Sequence, residues 1–297
     1  MNLRTLRAAM LVMPYSAFCS TMIPNTLTIA GVDPSGGAGI LADIKTMMAL
    51  GAYGTAVVAA LTAQNTQAVT GIHSVPAAFV AQQIDTLFID VRIDAVKIGM
   101  LGQQPVIRAV AERLAHWKPG HLVVDPVMVA KSGDHLLERS AVNELREALL
   151  PQATMLTPNL PEAGVLLGTS AVDNLKDMRR VAERLRRLLN DNGERWVFLK
   201  GGHLPGNDTI DILHNGDRLI ELPGQRIATR NTHGTGCTLS AALAALLPQT
   251  ADAVDAARQA KHYLVTAIAR SSELNIGHGH GPVQHAHPCW PARNNGK

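Results

Sequence analysis

The chain has 297 residues, 46% hydrophobic and 17% charged, with a formal net charge of +3, which describes a folded chain with a large core and excludes a disordered or fibrous one. Aromatic residues make up only 3% and the basic residues are scattered, which argues against a nucleic-acid surface built from a basic stripe and stacking rings. Three distant cysteines (Cys19, Cys237, Cys289) without a CxxC pair exclude a disulfide framework and a structural zinc site and point to a reducing, cytoplasmic setting.

The first 21 residues carry two arginines, no acids and a short apolar run broken by Pro14, with no A-x-A-like cleavage site after it. They read as an extension ahead of a start at Met22. No segment is apolar for long enough to span a membrane. TLTIAG (26–31) is a β-rich run that enters the glycine loop VDPSGGAG (32–39), followed by the helical ILADIKTMMALGA. Further strands are expected at 54–64, 94–100, 121–128, 153–159 and 195–203, and helices at 76–90, 105–117, 138–150 and 173–191. This alternation predicts an α/β fold, a mostly parallel sheet with helices on both faces. The segment 209–227, with Asn-Gly and Pro-Gly, predicts an antiparallel hairpin at a sheet edge, and two helices close the chain. With no linker, low-complexity stretch or repeat, one domain is expected over 22–287, with 288–297 as a tail.

Ligands of such sheets bind outside the carboxyl ends of the strands. The residues expected there are Gly31–Gly39, Gln64 and Asn65, Lys97–Met100, Asp125, Asn159–Glu162 and Lys200–His203. The loop NTHGTGCT (231–238) opens a helix of good formers, LSAALAALL, so its free N–H groups make an anion site. Phosphoryl transfer is the chemistry that uses all of these pieces. Gly234 to Cys237 would cradle the transferring group, Asp125 and Glu162 would hold Mg²⁺, and Lys200 would sit on a nucleotide phosphate. Cys237, at a helix start, is expected to have a lowered pKa and to serve as base. There is no GxxxxGK[ST] and no strand-linked GxGxxG.

Singly, each residue has a bland reading. Asp125 before Pro126 can cap a turn, and Asn159 with Glu162 has the form of a helix capping box. Lys97 and Lys200 can be solvent charges, Met100 core, and Cys237 a small buried residue. Their common position at strand ends is what favours a site. The C-terminal HGHGPVQHAHPC (278–289) packs four histidines and a cysteine together without an acid, and reads as a structural or trailing segment, not a metal site.

Several runs together carry a family resemblance: TIAGVDPSGGAGILADIKTMMALGAYG, ALTAQNT, KIGML, VVDPVM, AKSGD, LTPNLPEA, LKGGH and NTHGTGCTLSAALAA. In this order, over about 26–287, the chain resembles the hydroxymethylpyrimidine/phosphomethylpyrimidine kinases of thiamine biosynthesis, in the ribokinase-like superfamily. The resemblance implies a three-layer ribokinase-like fold and two successive ATP-dependent phosphorylations of 4-amino-5-hydroxymethyl-2-methylpyrimidine. It implies that Gln64 binds the pyrimidine edge, that Gly31 and Met100 line the ring, and that Ala38 and Asp43 lie near the substrate. It implies an anion hole at Gly234, Thr235, Gly236 and Cys237, with Cys237 standing where most of the superfamily carry an aspartate base. Lys200, Asn159 and Thr232 would serve ATP, and Asp125 and Glu162 Mg²⁺. It also implies a homodimer and no nucleic-acid or membrane partner. The alternatives are a pyridoxal kinase activity on the same fold and a non-catalytic pyrimidine sensor.

Overall fold

The computed structural model describes residues 22–129, 133, 136–137 and 140–291. The expected extension over 1–21, most of the AKSGD run, and 292–297 of the expected tail lie outside the described residues. The strands are β1 (Asn25–Val32), β2 (Tyr53–Gln64), β3 (Val69–Ser74), β4 (Ala95–Ile98) and β5 (His121–Val124), then β6 (Met155–Leu156), β7 (Trp196–Leu199), β8 (Asp211–His214) and β9 (Leu219–Leu222). They form one sheet in the order β3-β2-β1-β4-β5-β6-β7-β8-β9. From β2 to β7 the neighbours are parallel. The hairpin β8–β9 is the expected antiparallel edge. The other edge, β3, is also antiparallel and was not expected. Its run VTGIHS is exposed nearly throughout, so no alternation of apolar residues marks it.

The helices are α1 (Gly39–Ala49), α2 (Ala77–Asp90), α3 (Gln104–Trp117), α4 (Ala141–Glu144), α5 (Leu160–Leu167), α6 (Leu175–Arg186), α7 (Thr235–Leu246) and α8 (Ala253–Ala269). The helix expected over 138–150 is irregular. After α4 it widens into a π turn at Leu145–Leu149 and tightens to a 3₁₀ turn at Leu150–Gln152, where Pro151 has no N–H to continue the ladder. The strand expected over 153–159 is two residues long, because Thr157 onward already turns toward α5.

The two-residue period of the strands sorts the interior. Val96, Ile98, Leu122, Val124, Leu156, Val197 and Leu199 face the side that α2–α6 cover. Ala95, Val123, Met155, Trp196 and Phe198 face α7 and α8. Along the same parity, Lys97, Asp125, Thr157 and Lys200 belong to the α7 side, each two residues beyond an apolar one. Every residue of α7 from Thr238 to Leu246 is buried, and the many alanines let α1 and α8 pack closely on it. The carboxyl ends of the parallel strands therefore open onto one rim, where the N-termini of α1, α5 and α7 also begin.

Candidate active site

Asp125 follows β5 and is 1% exposed. Its Oδ1 accepts from Lys200 Nζ at 2.9 Å and Thr157 Oγ1 at 3.2 Å, and its Oδ2 from Ser240 Oγ at 3.2 Å. Lys200 Nζ also lies 3.8 Å from Glu162 Oε2. Burial works against the Lys200 ammonium, but Asp125 and Glu162 outweigh it and raise its pKa. Burial pushes the Glu162 carboxyl up, with Lys200 opposing. Asn159 and Glu162 form a complete capping box on α5: Glu162 N donates to Asn159 Oδ1 and Asn159 N to Glu162 Oε2, each at 2.8 Å. The bland reading of that pair is therefore right, and it also holds one Glu162 oxygen beside Lys200. Two carboxylates share one ammonium, leaving a net negative patch of hard oxygens. That suits Mg²⁺, which takes one or two carboxylates together with substrate phosphates and water.

The anion loop lies over this patch. A Cβ on Gly236 would stand 3.3 Å from Lys200 Nζ and 3.5 Å from Asp125 Oδ2. Gly234 has φ +78° and caps α7; a side chain there would be strained and would strike the Gly37 carbonyl. The glycine loop and the anion loop thus touch backbone to backbone. A pair the sequence did not reveal locks them: His233 Nε2 and Asp33 Oδ2 lie 2.7 Å apart, both buried. Burial raises the Asp33 carboxyl, but bonds from His233 and Ser35 more than offset it and the net shift is downward. Asp33 also accepts from Ser35 N, Ser35 Oγ and Ala38 N, which shapes the entry to α1. Thr232 is half-buried in the turn before the loop, with its carbonyl accepting from Thr235 N at 3.5 Å.

On the other side, Gly31, next to last in β1, packs against Met100; a Cβ on Gly31 would be 3.2 Å from Met100 Sδ, so the structure brings the two together. Gln64 ends β2, its Oε1 3.2 Å from the Thr62 hydroxyl, which also donates to the Val32 carbonyl at 2.8 Å. Ala38 is the N-cap residue of α1. Asp43, one turn into α1, is fully buried; its Oδ2 accepts from Thr28 Oγ1 at 2.6 Å and from Lys97 Nζ at 2.8 Å. Lys97 is not a solvent charge: its side chain is 0% exposed.

Cys237 corrects another expectation. Burial drives its thiol up, Lys97 pulls it down, and Asp43 and Asp125 raise it again, leaving it at about 11 even though Gly39 N bonds the sulfur. The helix start does not outweigh burial beside two carboxylates, so the resting side chain is the neutral thiol.

Among the described residues, no group of three or more His, Cys, Asp or Glu could hold a metal ion. Three of the four C-terminal histidines contact the rest of the domain. His280 N donates to the Thr66 carbonyl, His285 is buried with its carbonyl accepting from Tyr263 OH at 2.6 Å, and the His287 ring lies 4.7 Å from that of Tyr263, tilted by 34°. Arg226 was also missed; it donates to the carbonyls of Gly202, Leu204 and Gly206 and so holds the loop after Lys200.

Residues 33–284 match the family model for phosphomethylpyrimidine kinase. The hydroxymethylpyrimidine/phosphomethylpyrimidine kinase of Escherichia coli (strain K12) is 49% identical over 266 residues, 90% of this chain and 98% of that protein. Among solved structures, Bacillus subtilis pyridoxal kinase in an ADP complex superposes with a TM-score of 0.81 at 32% identity, covering 89% of this chain and 98% of that one. The phosphomethylpyrimidine kinase of Clostridium difficile 630 gives 0.72 at 39% identity, covering 82% and 99%.

Proposed function

The chain belongs to the phosphomethylpyrimidine kinase family, and from that premise we infer that it is an ATP-dependent kinase of thiamine biosynthesis that phosphorylates 4-amino-5-hydroxymethyl-2-methylpyrimidine and then the monophosphate. The observation that carries the reading at the level of the site is the contact of the anion loop with Asp125 and Lys200, through Gly236.

In this reading ATP reaches the rim from the Lys200 side, with Asn159 and Thr232 beside it. Asp125 and Glu162 would hold Mg²⁺, which when bound neutralises charge on the polyphosphate. The N–H groups of Gly234, Thr235, Gly236 and Cys237 receive the transferring phosphoryl, where charge develops. Gln64, Gly31, Met100 and Ala38 orient the pyrimidine so that its hydroxymethyl oxygen faces that phosphorus. That oxygen bonds to the phosphorus, the bond to the ADP oxygen breaks, and ADP leaves with the electron pair. Transfer of this kind rests on positioning and electrostatics more than on a strong base. A neutral Cys237 thiol beside the acceptor oxygen fits that requirement, and the hydroxyl proton, acidified once the new bond forms, passes to an oxygen of the transferred phosphoryl group and from there to water. We take the chain to act in the cytoplasm, as a homodimer.

Product analysis tests the reading. Incubation with Mg-ATP and the hydroxymethylpyrimidine should give monophosphate first and diphosphate after it. Absence of any phosphorylated product would overturn it. The structural likeness to pyridoxal kinases favours pyridoxal as a second substrate, which turnover on that aldehyde under the same conditions decides. A Cys237→Ala variant with full activity would remove Cys237 from the acceptor site.

A further inference from the structure

The anion loop, the Asp125 patch and the acceptor pocket leave one buried charge without a task. Lys97 and Asp43 form an ion pair with both side chains at 0% exposure. Such a pair costs desolvation that hydrophobic residues of the same volume avoid, so stability alone does not account for it. It is also incompletely satisfied. Asp43 Oδ1 is buried with no partner, and the three-proton ammonium of Lys97 makes one hydrogen bond among the described residues, to Asp43 Oδ2.

Its place in the fold is specific. Lys97 lies on β4, three residues before Met100 of the acceptor pocket, and on the face that α1 and α7 cover. A Cβ on Gly99 would be 2.7 Å from Lys97 Nζ and 3.0 Å from Ala30 Cβ. The ammonium therefore runs along β4 toward the rim, beside Gly99, on the face that α1 and α7 cover. Asp43 reaches it from α1, one turn beyond Gly39, whose N–H bonds the Cys237 sulfur. The field of Lys97 reaches Cys237 and exceeds there that of Asp43. Lys200 serves the opposite side, on Asp125. The site thus has one cation on Asp125 and another beside Asp43, on the Cys237 side of the anion loop.

The two acceptors differ in one respect that such a cation would sense. The hydroxymethylpyrimidine is neutral at its reacting group, and its monophosphate is an anion. It must enter a space already flanked by Asp125, Glu162 and the ATP phosphates. We propose that Lys97, clamped by Asp43, is a specificity-determining residue that offsets the charge of the phosphorylated acceptor and so enables the second phosphorylation. It acts through its field, as a positioning residue. The neutral Cys237 thiol complements it, because a carboxylate at that position would repel the same phosphate. This inference rests on the two-step reading above.

Rates of the two steps are measured separately, starting from the hydroxymethylpyrimidine or from its monophosphate, with saturating Mg-ATP. In Lys97→Met the ratio of second to first step should fall about tenfold or more, since an ion–ion term is lost in a site shielded from water. Lys97→Met leaves Asp43 buried and unpaired, so the double variant K97M/D43N, checked by circular dichroism, should fold better and show a fall in ratio of the same direction but smaller size, because the opposing field of Asp43 is removed as well. Asp43→Asn, which keeps the lysine, should leave the ratio unchanged or raise it. A general structural defect lowers both steps together and leaves the ratio alone. An unchanged ratio in K97M and K97M/D43N overturns the inference while the two-step reading stands. A wild-type chain that makes no diphosphate overturns the two-step reading itself.

Discussion

The two sides of the site are built differently. On the proposed nucleotide side, Asp125 alone gathers Lys200, Thr157 and Ser240 from the residue after β7, the β6–α5 turn and α7, and Glu162 is fixed by its own helix cap. On the proposed acceptor side, Gly31 packs against Met100, Gln64 ends β2, and a buried ion pair joins β4 to α1 on the α7 face of the sheet. The first side is a polar lattice with excess negative charge, suited to a cation and a polyphosphate that bring their own charge. The second is close to neutral and shaped by backbone approach. In the proposed reading, charge on the nucleotide side is supplied by ligands, whereas on the acceptor side the protein carries its own cation.

Asp125 is the place where breaking the first side should cost most. Asp125→Asn removes the negative charge that Lys200 faces and one of the two carboxylates proposed to hold Mg²⁺. We expect kcat to fall by about a hundredfold to a thousandfold, the range for loss of a main electrostatic group. The check is steady-state kinetics over a Mg²⁺ titration; a variant rescued fully by excess Mg²⁺ would reduce Asp125 to a binding role.

The acceptor side rests on the C-terminal segment, which packs over Thr66 and His233, and its weak point is pH. His285 is buried with Nε2 unpartnered, and burial, followed by Lys45, His233 and His287, lowers its pKa to about 3. The folded pKa lies below the unfolded one, so the unfolded chain binds the extra proton. The stability from a neutral His285 is present above about pH 6.5 and drains away as pH falls toward the folded value. Between about pH 6.5 and pH 5 this amounts to about 2 kcal/mol. Urea unfolding at the two pH values should show that loss in the wild type and much less of it in His285→Leu. Equal losses would mean that other groups set the acid limit.

How much of this was legible in the sequence follows the same division. The nucleotide side reads well, because Asp125, Glu162 and Lys200 are charged residues just past apolar strands, and period two alone puts Asp125 and Lys200 on the α7 face. The parallel sheet, the β8–β9 hairpin and the buried α7 are legible for the same reason, as periodic runs. The acceptor side reads poorly. Lys97 has the same signature as Lys200, and only the packing of α1 and α7 over β4 decides that it is sealed. Asp33 and His233 are 200 residues apart, and no local pattern pairs them. The edge strand β3 lacks an apolar face. Cys237 was misjudged because a helix start is visible in sequence, while the two carboxylates that oppose it come from α1 and from the end of β5.

Cys237 lies where the two sides meet, and its reactivity sharpens the contrast. A thiol at about 11 carries little thiolate at neutral pH. Alkylation by iodoacetamide, followed by mass spectrometry of each cysteine peptide, should label exposed Cys289 first. Allowing for the greater nucleophilicity of a more basic thiolate, Cys237 should react at least about tenfold more slowly near neutral pH. Its rate should keep rising toward pH 11. Faster labelling of Cys237 would restore the thiolate base and remove the argument that the acceptor site is close to neutral.

The smallest expected effect is at the latch that joins the two sides. Asp33 belongs to the glycine loop of the proposed acceptor side, and His233 to the loop proposed to receive the phosphoryl group. Their 2.7 Å contact is one hydrogen bond. His233→Asn keeps a polar group but is too short to reach the carboxylate in the same way. One lost hydrogen bond of about 1 kcal/mol corresponds to about a fivefold change. Because Asp33 still holds Ser35 and Ala38, the glycine loop keeps its own shape. What loosens is its register against Gly234, so the cost should fall on kcat and on KM for the pyrimidine, with KM for ATP unchanged. A rise in KM for ATP instead would place His233 with the nucleotide side and move the boundary between the two halves from the loops to the strands beneath them.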